Sequence, residues 1–201
     1  MKLYTMSQAP NPRRVALFLQ AKNVAAPETV EINIMAAEHK SEGFRAISPF
    51  AQLPALALDD GRVLTESRAI CRYFEGLYPD PNLMGRDAEE TAFIEMWDRT
   101  MELKLFFPAA MWVRHGHPGF AVLEKQNAET AQRGEAGFKR VLDWLETELA
   151  QRDFVAGDRF TIADITALVG VDFTRIHGFK LKAETHPLLY AWRERVKPTA
   201  A

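Results

Sequence analysis

Cysteine is nearly absent from this chain of 201 residues, which carries a single thiol, Cys71. That excludes an intramolecular disulfide and any CxxC redox pair, so thiol chemistry here needs a thiol brought in from outside. Cys71 falls mid-pattern in a helical stretch beside Ile70, where a small buried residue is the ordinary occupant and a functional thiol the alternative. An excess of one charge sign is lacking too. The formal net charge is −2, with 25 Lys and Arg against 27 Asp and Glu, which gives no electrostatic reason to expect nucleic acid or an acidic membrane as partner. No apolar run approaches the roughly 18 residues of a membrane span. One such run, around 167–171, is flanked by Asp164 and Asp172. The opening Met-Lys-Leu-Tyr-Thr lacks the apolar core of a signal peptide, so a cytoplasmic location is expected.

What is present is ordinary for a globular protein, with 47% hydrophobic and 26% charged residues, and the length suits one large domain or two small ones. Two textures meet near residue 80. Before it, strand-like and helical pieces alternate. Residues 2–6 read as a strand. Pro12 suits a first helical position, with Val15, Phe18 and Leu19 on one face and Arg13, Arg14 and Gln20 elsewhere. Val30, Ile32 and Ile34 alternate with Glu31 and Asn33, predicting a strand over 29–34 with one face buried. A helical turn follows around 41–46. The pieces 54–58 and 62–64 flank Asp59-Asp60-Gly61, a hairpin signal. From Glu66, the apolar set Ala69, Ile70, Tyr73, Phe74 and Leu77 has helix spacing, stopped by Pro79 and Pro81. The order β-α-β-(α)-β-β-α is that of a thioredoxin-like domain.

Residues 78–87, rich in Pro, Asp and Gly, mark a linker, after which strand signals vanish. A helix is predicted over 91–107, with Phe93, Ile94, Trp97, Met101 and Leu105 as its core stripe and Pro108 kinking or ending it. His115-Gly116-His117-Pro118-Gly119 breaks the pattern. A long helix then runs to about Ala150 with Phe138, Val141, Leu142 and Leu145 inward. Thr161-Ile162-Ala163-Asp164 is a capping box opening another helix, and a last helix covers about 187–196. The expected architecture is α/β plus all-α: a thioredoxin-like domain with a mixed four-stranded sheet over 1–79, a linker over 80–88 and a helical bundle over 89–201.

The motifs Gln52-Leu53-Pro54-Ala55-Leu56, Asp59-Asp60-Gly61, Leu64-Thr65-Glu66-Ser67 and Ala69-Ile70 resemble the glutathione-binding core of the cytosolic glutathione transferases. The segment from Val155 through Asp158-Arg159 to Asp164 extends the likeness over nearly the whole chain. The resemblance implies a cis bond before Pro54, with the Leu53 main chain free to pair with bound glutathione as an added strand would. Glu66 and Ser67 stand where a helix N-terminus favours an anion, here the γ-glutamyl carboxylate, with Glu66 available to the ammonium; capping of the helix is the plainer alternative. His39 and Lys40 resemble a basic pair near the glycyl carboxylate, with Gln52 close by, or else form a solvated loop. Asp98 matches a region that some members direct at the partner subunit's glutathione, against the simpler reading of a helix-surface charge.

At the catalytic position the chain departs from the family. The slot six residues before Val15, which holds the activating Ser in theta- and zeta-like members, is Ala9. Ser7-Gln8-Ala9-Pro10-Asn11-Pro12-Arg13 is similar to a bacterial and fungal theta-like branch that lacks a dedicated Tyr, Ser or Cys and relies on the first helix's N-terminus and an ordered water. Amides following Pro12, with Asn11 as helix cap and donor, are one candidate source of activation, and Ser7 is another. A thiol with a pKa near 8.5 is about 3% thiolate at pH 7; lowering it by about two units, as helix N-termini do, gives roughly 75%.

In the same branch a His near 115–117 holds the water, which makes His115 a candidate; structural capping is the alternative, and two His without a third ligand make no metal site. Phe107, Met111 and Trp112 are candidates for the electrophile pocket. The resemblance thus implies a homodimeric, cytoplasmic glutathione S-transferase taking glutathione as co-substrate and a small hydrophobic electrophile, with no metal. A non-catalytic binding module of the same fold, or another glutathione-dependent enzyme such as an isomerase or dehalogenase, is the alternative.

Overall fold

The first strand, β1 (Lys2–Thr5), turns Leu3 and Thr5 inward. It feeds α1 (Pro10–Ala21), which buries Val15, Leu17, Phe18 and Leu19. The computed structural model describes residues 1–199, and the chain divides into a unit over Met1–Asn82 and a second from Leu83 onward.

In the first unit, β2 (Glu28–Glu31) runs parallel to β1, and the Ile32 amide adds one more bond to the Thr5 carbonyl at 2.8 Å. The strand stops short of the expected Ile34 because the chain turns over 34–37. It is an edge strand in the order β2-β1-β3-β4. Its Glu28, Thr29 and Glu31 are therefore solvated and Val30 only half-buried, where alternation had predicted a buried face. A short helix, α2 (Glu42–Ile47), is capped by Ser41, whose hydroxyl accepts from the Phe44 amide at 3.2 Å. Then β3 (Ala55–Ala57) and β4 (Val63–Leu64) form the antiparallel hairpin, with Gly61 at φ +84° in its turn. Helix α3 (Ser67–Leu77) closes the unit, burying Ile70, Cys71 and Phe74. This is the thioredoxin-like arrangement with a mixed four-stranded sheet.

In the second unit, α4 (Ala88–Thr100) starts on Asp87, which accepts from the Glu90 amide at 2.8 Å. Pro108 does not end the helical path. A π-helical stretch, Met101–Phe106, leads directly into α5 (Phe107–Gly116), and the wider turn just ahead of Pro108 absorbs its missing N–H. The buried stripe of α4 is also rotated from the expected one. Ile94, Asp98, Met101 and Leu105 face inward while Phe93 is 53% exposed. Asp98 is therefore no surface charge. It is fully buried and accepts a hydrogen bond from the Thr166 hydroxyl, as an interior carboxylate requires.

Helix α6 (Ala128–Glu148) is capped by Asn127 and crosses α5 at Gly134, where a Cβ would come within 2.6 Å of the Trp112 amide nitrogen. Helix α7 (Ile162–Phe173) is buried on nearly every side. The expected capping box opens it: the Asp164 carboxylate accepts from the Thr161 amide at 2.9 Å. Helix α8 (Pro187–Thr199) has its Leu188 and Leu189 amides held by the Glu146 carboxylate, both at 2.8 Å. No helix among the described residues is long and apolar enough to cross a membrane.

Candidate functional site

Strand register gathers the first unit's chemistry-bearing segments at one end of the sheet. Tyr4 pairs with Ala55, so the turn after β1, containing Ser7 and leading to α1, lies at the same end as Leu53 and Pro54. Leu56 pairs with Leu64, which brings Glu66 and Ser67 to that end as well. Because β2 is parallel to β1, the chain leaving Glu31 toward His39 and Lys40 departs there too.

The Leu53–Pro54 peptide is cis, and both residues are buried just outside the β1–β3 ladder. The chain approaching them is clamped by a residue with no signature in the sequence. Ser48, 1% exposed, donates its hydroxyl to the Gln52 carbonyl at 2.9 Å and accepts from the Gln52 amide at 3.1 Å. The Gln52 side chain stands exposed beside the clamp.

At the start of α3, Glu66 occupies the N-cap position with φ +66° and ψ 114°, and its side chain makes no cap bond. A positive φ at a non-glycine residue costs on the order of 1–3 kcal/mol, and such residues cluster at active sites and ligand clamps. Ser67, next along, is 4% exposed. Its hydroxyl accepts from the Arg14 guanidinium of α1 at 2.8 Å. Arg14, expected away from the apolar face of Val15, Phe18 and Leu19, is 1% exposed. One signal was available: Arg14 lies three and four residues before the core residues Leu17 and Phe18, on their face.

The first turn of α1 also differs from expectation. The helix begins at Pro10, and its N-cap is Ala9, not Asn11. The Ala9 amide bonds the Met6 carbonyl at 2.8 Å, and the Arg13 amide bonds the Ala9 carbonyl at 3.0 Å. Pro10 and Pro12 have no N–H. The amides that follow Pro12 are thus engaged in the helix, and the Asn11 amide is the one N–H of the first turn left without an intrahelical acceptor. Asn11 is half-buried and lies at the positive end of the helix dipole. Ser7 is exposed, and its amide donates to both Glu31 carboxylate oxygens at 3.3 Å.

His39, within a single 3-10 turn over Glu38–Lys40, is 8% exposed, and its Nδ1 has no hydrogen-bond partner among the described residues. Burial lowers its pKa, and the nearby charges of Lys40 and Arg45 lower it further. His39 is therefore a neutral donor or acceptor near pH 7, and the positive charge of the His39–Lys40 pair belongs to Lys40, which is exposed.

The remaining candidates lie in the second unit. His115, in the last turn of α5, has Nε2 3.8 Å from the Glu124 carboxylate, and its buried Nδ1 has no partner among the described residues. His117 accepts the Gly119 amide at Nδ1, 3.2 Å, which makes it a cap. Trp112 is buried among Phe138, His177 and Phe179, Phe107 is 56% exposed and Met111 half-buried. Among the described residues, no group of three His, Cys, Asp or Glu is placed to hold a metal ion.

Two family models match: Glutathione S-transferase, N-terminal domain, over residues 3–82, and Glutathione S-transferase, C-terminal domain, over residues 97–197. Glutathione S-transferase 2 of Saccharomyces cerevisiae is 33% identical over 200 residues, spanning 98% of this chain and 85% of its own. A crystal structure of a glutathione S-transferase domain-containing protein from Marinobacter aquaeolei VT8 matches with a TM-score of 0.94 at 32% identity, over 100% of both chains. The crystal structure of Gtt2 from Saccharomyces cerevisiae matches with a TM-score of 0.93 at 33% identity, over 100% of this chain and 98% of that one.

Proposed function

The chain belongs to the cytosolic glutathione S-transferase superfamily, and from that premise we propose that it joins glutathione to small hydrophobic electrophiles, or reduces them, through a thiolate formed at the N-terminus of α1. Glutathione lies extended along the Leu53 main chain, its cysteinyl backbone pairing there as an added strand would. Its γ-glutamyl carboxylate takes the N-terminus of α3 with Ser67 donating, and Glu66 receives the ammonium. Lys40 supplies charge to the glycyl carboxylate, with His39 and Gln52 as neutral hydrogen-bonding groups. The sulfur meets the Asn11 amide and the positive end of the α1 dipole. Ser7 is the competing donor, and His115 the residue assigned to the ordered water.

The thiol's proton leaves to solvent. The thiolate attacks an electrophilic carbon, the C–S bond forms, and the leaving group departs with its electron pair. Binding removes most of the entropic barrier, and the lowered pKa supplies the nucleophile. Against a gain of about 25-fold in thiolate stands some loss of intrinsic nucleophilicity. A cytoplasmic homodimer is part of the same proposal.

The observation that carries the binding reading is the start of α3, where the N-cap side chain makes no cap bond and the adjacent Ser67 hydroxyl is buried. Calorimetric titration with glutathione tests it. Ser67→Ala is expected to weaken binding by roughly tenfold, the worth of one hydrogen bond to a charged group; unchanged affinity overturns the assignment. Ala9 at the N-cap, without a hydroxyl, favours a second reading as a non-catalytic glutathione-binding module, in which binding survives and no electrophile is consumed.

A further inference from the structure

We infer that Arg14 is a positioning residue for glutathione, acting through Ser67 to aim a hydroxyl proton at the γ-glutamyl α-carboxylate. This rests on the reading that the N-terminus of α3 receives that carboxylate.

A serine hydroxyl has one proton and two acceptor lone pairs, whereas a guanidinium donates only. Arg14 Nη1 sits 2.8 Å from the Ser67 oxygen, so that oxygen accepts and its proton must turn away from α1. Ser67 occupies the first helical position of α3, not the N-cap, and its oxygen is not spent on capping an α3 amide. Among the described residues its proton has no acceptor. The outcome is a buried hydroxyl whose acceptor side is filled by a cation and whose donor side is left for a ligand. Accepting from a charged donor polarises the O–H and strengthens the bond it gives. At 1% exposure the guanidinium is held by packing, so the hydroxyl's direction is set before a ligand arrives. The fixed positive end of the α3 dipole and the guanidinium behind the hydroxyl favour the same species, a carboxylate.

A purely structural Arg14 would make a different prediction. It would change the amount of folded protein without changing which part of a ligand the folded protein senses. The test compares glutathione with the tripeptide analogue in which 4-aminobutyrate replaces the γ-glutamyl residue, so that only the α-carboxylate is missing. Affinities of both are measured by calorimetry on the wild type, Arg14→Lys, Arg14→Met, Ser67→Ala and the Arg14→Met/Ser67→Ala double variant, each checked for folding by circular dichroism. In the wild type glutathione should bind at least tenfold tighter than the analogue. In Arg14→Met that preference should shrink by roughly tenfold, the analogue's own affinity holding within about threefold, and the double variant should lose no more than Ser67→Ala alone. Should Arg14→Met fail to fold, Arg14→Lys carries the test: charge without the planar fork leaves a reduced preference.

Wild-type preference retained in a folded Arg14 variant, with Ser67→Ala abolishing it, overturns the inference and leaves the carboxylate reading standing. Equal binding of the two tripeptides by the wild type overturns the carboxylate reading itself.

Discussion

The Ser48 hydroxyl closes two hydrogen bonds on Gln52, donating to its carbonyl at 2.9 Å and accepting from its amide at 3.1 Å. That clamp fixes the chain immediately before Leu53, whose main chain is proposed to pair with glutathione. Ser48→Ala leaves two main-chain groups to find water and should cost about 1–3 kcal/mol of stability. Kinetically, loosening the binding edge is expected to raise KM for glutathione by roughly three- to tenfold with kcat within about twofold, the pattern of lost uniform binding. Steady-state kinetics with varied glutathione would show it; a fall in kcat at constant KM would mean the clamp acts elsewhere.

Lys22, at the end of α1, forms an ion pair with Glu75 of α3 at 2.6 Å, with side-chain exposures of 0% and 8%, and its ammonium also donates to the Pro81 carbonyl at 2.6 Å. Removing the ammonium takes its ion pair away from a buried carboxylate, so Lys22→Met should destabilise by about 3–5 kcal/mol. Replacing both, Lys22→Met with Glu75→Leu, should recover most of that loss. Urea unfolding of the two variants checks this, and a double variant as unstable as the single one would contradict it.

Asp164 is fully buried, and burial pushes its carboxyl from the usual 3.8 up to about 6, against the hydrogen bonds from Val155, Trp192 and Thr161 that favour the ionised form. The folded state therefore binds this proton more tightly than the unfolded chain does. The resulting stabilisation is fully present below about pH 4 and is lost as pH rises through about 6, a swing of about 3 kcal/mol. In Asp164→Asn the swing disappears. Because both carboxylate oxygens accept N–H donors, one side of the amide must also face a donor, so the variant is less stable throughout. Unfolding free energies at pH 4.5, 5.5 and 7 should show the wild type's advantage narrowing as pH rises; a constant gap would show that Asp164 keeps its charge.

Features written locally in the sequence could be read from it. The Thr161–Asp164 box needs only residues three apart, and the Asp59-Asp60-Gly61 turn announces its own hairpin. The strand and helix order of the first unit followed from periodicity, and the motif around Leu53-Pro54 carried the family. What escaped were long-range polar pairs. Arg14 meets Ser67 and Lys22 meets Glu75 across 53 residues of sequence each, and Asp98 meets Thr166 across 68. A charged residue on a helix reads as solvated unless its buried partner is known, and periodicity does not name that partner. The misplaced cap of α1 has a local cause: either Pro10 or Pro12 can begin a helix, and only the Ala9 amide's bond to Met6 decides between them.

The first turn of α1, with its one uncommitted amide at Asn11, is proposed to make the thiolate. Titrating the ultraviolet thiolate absorbance of bound glutathione tests it most directly, on the wild type, Ser7→Ala, His115→Ala, Asn11→Ala and Asn11→Pro. The last removes the N–H at a position in the first turn where a proline fits. The bound pKa should lie about two units below the free value near 8.5, unchanged in Ser7→Ala and raised by about one unit in Asn11→Pro. A bound pKa equal to that of free glutathione, or one that rises in Ser7→Ala but not in Asn11→Pro, would contradict it.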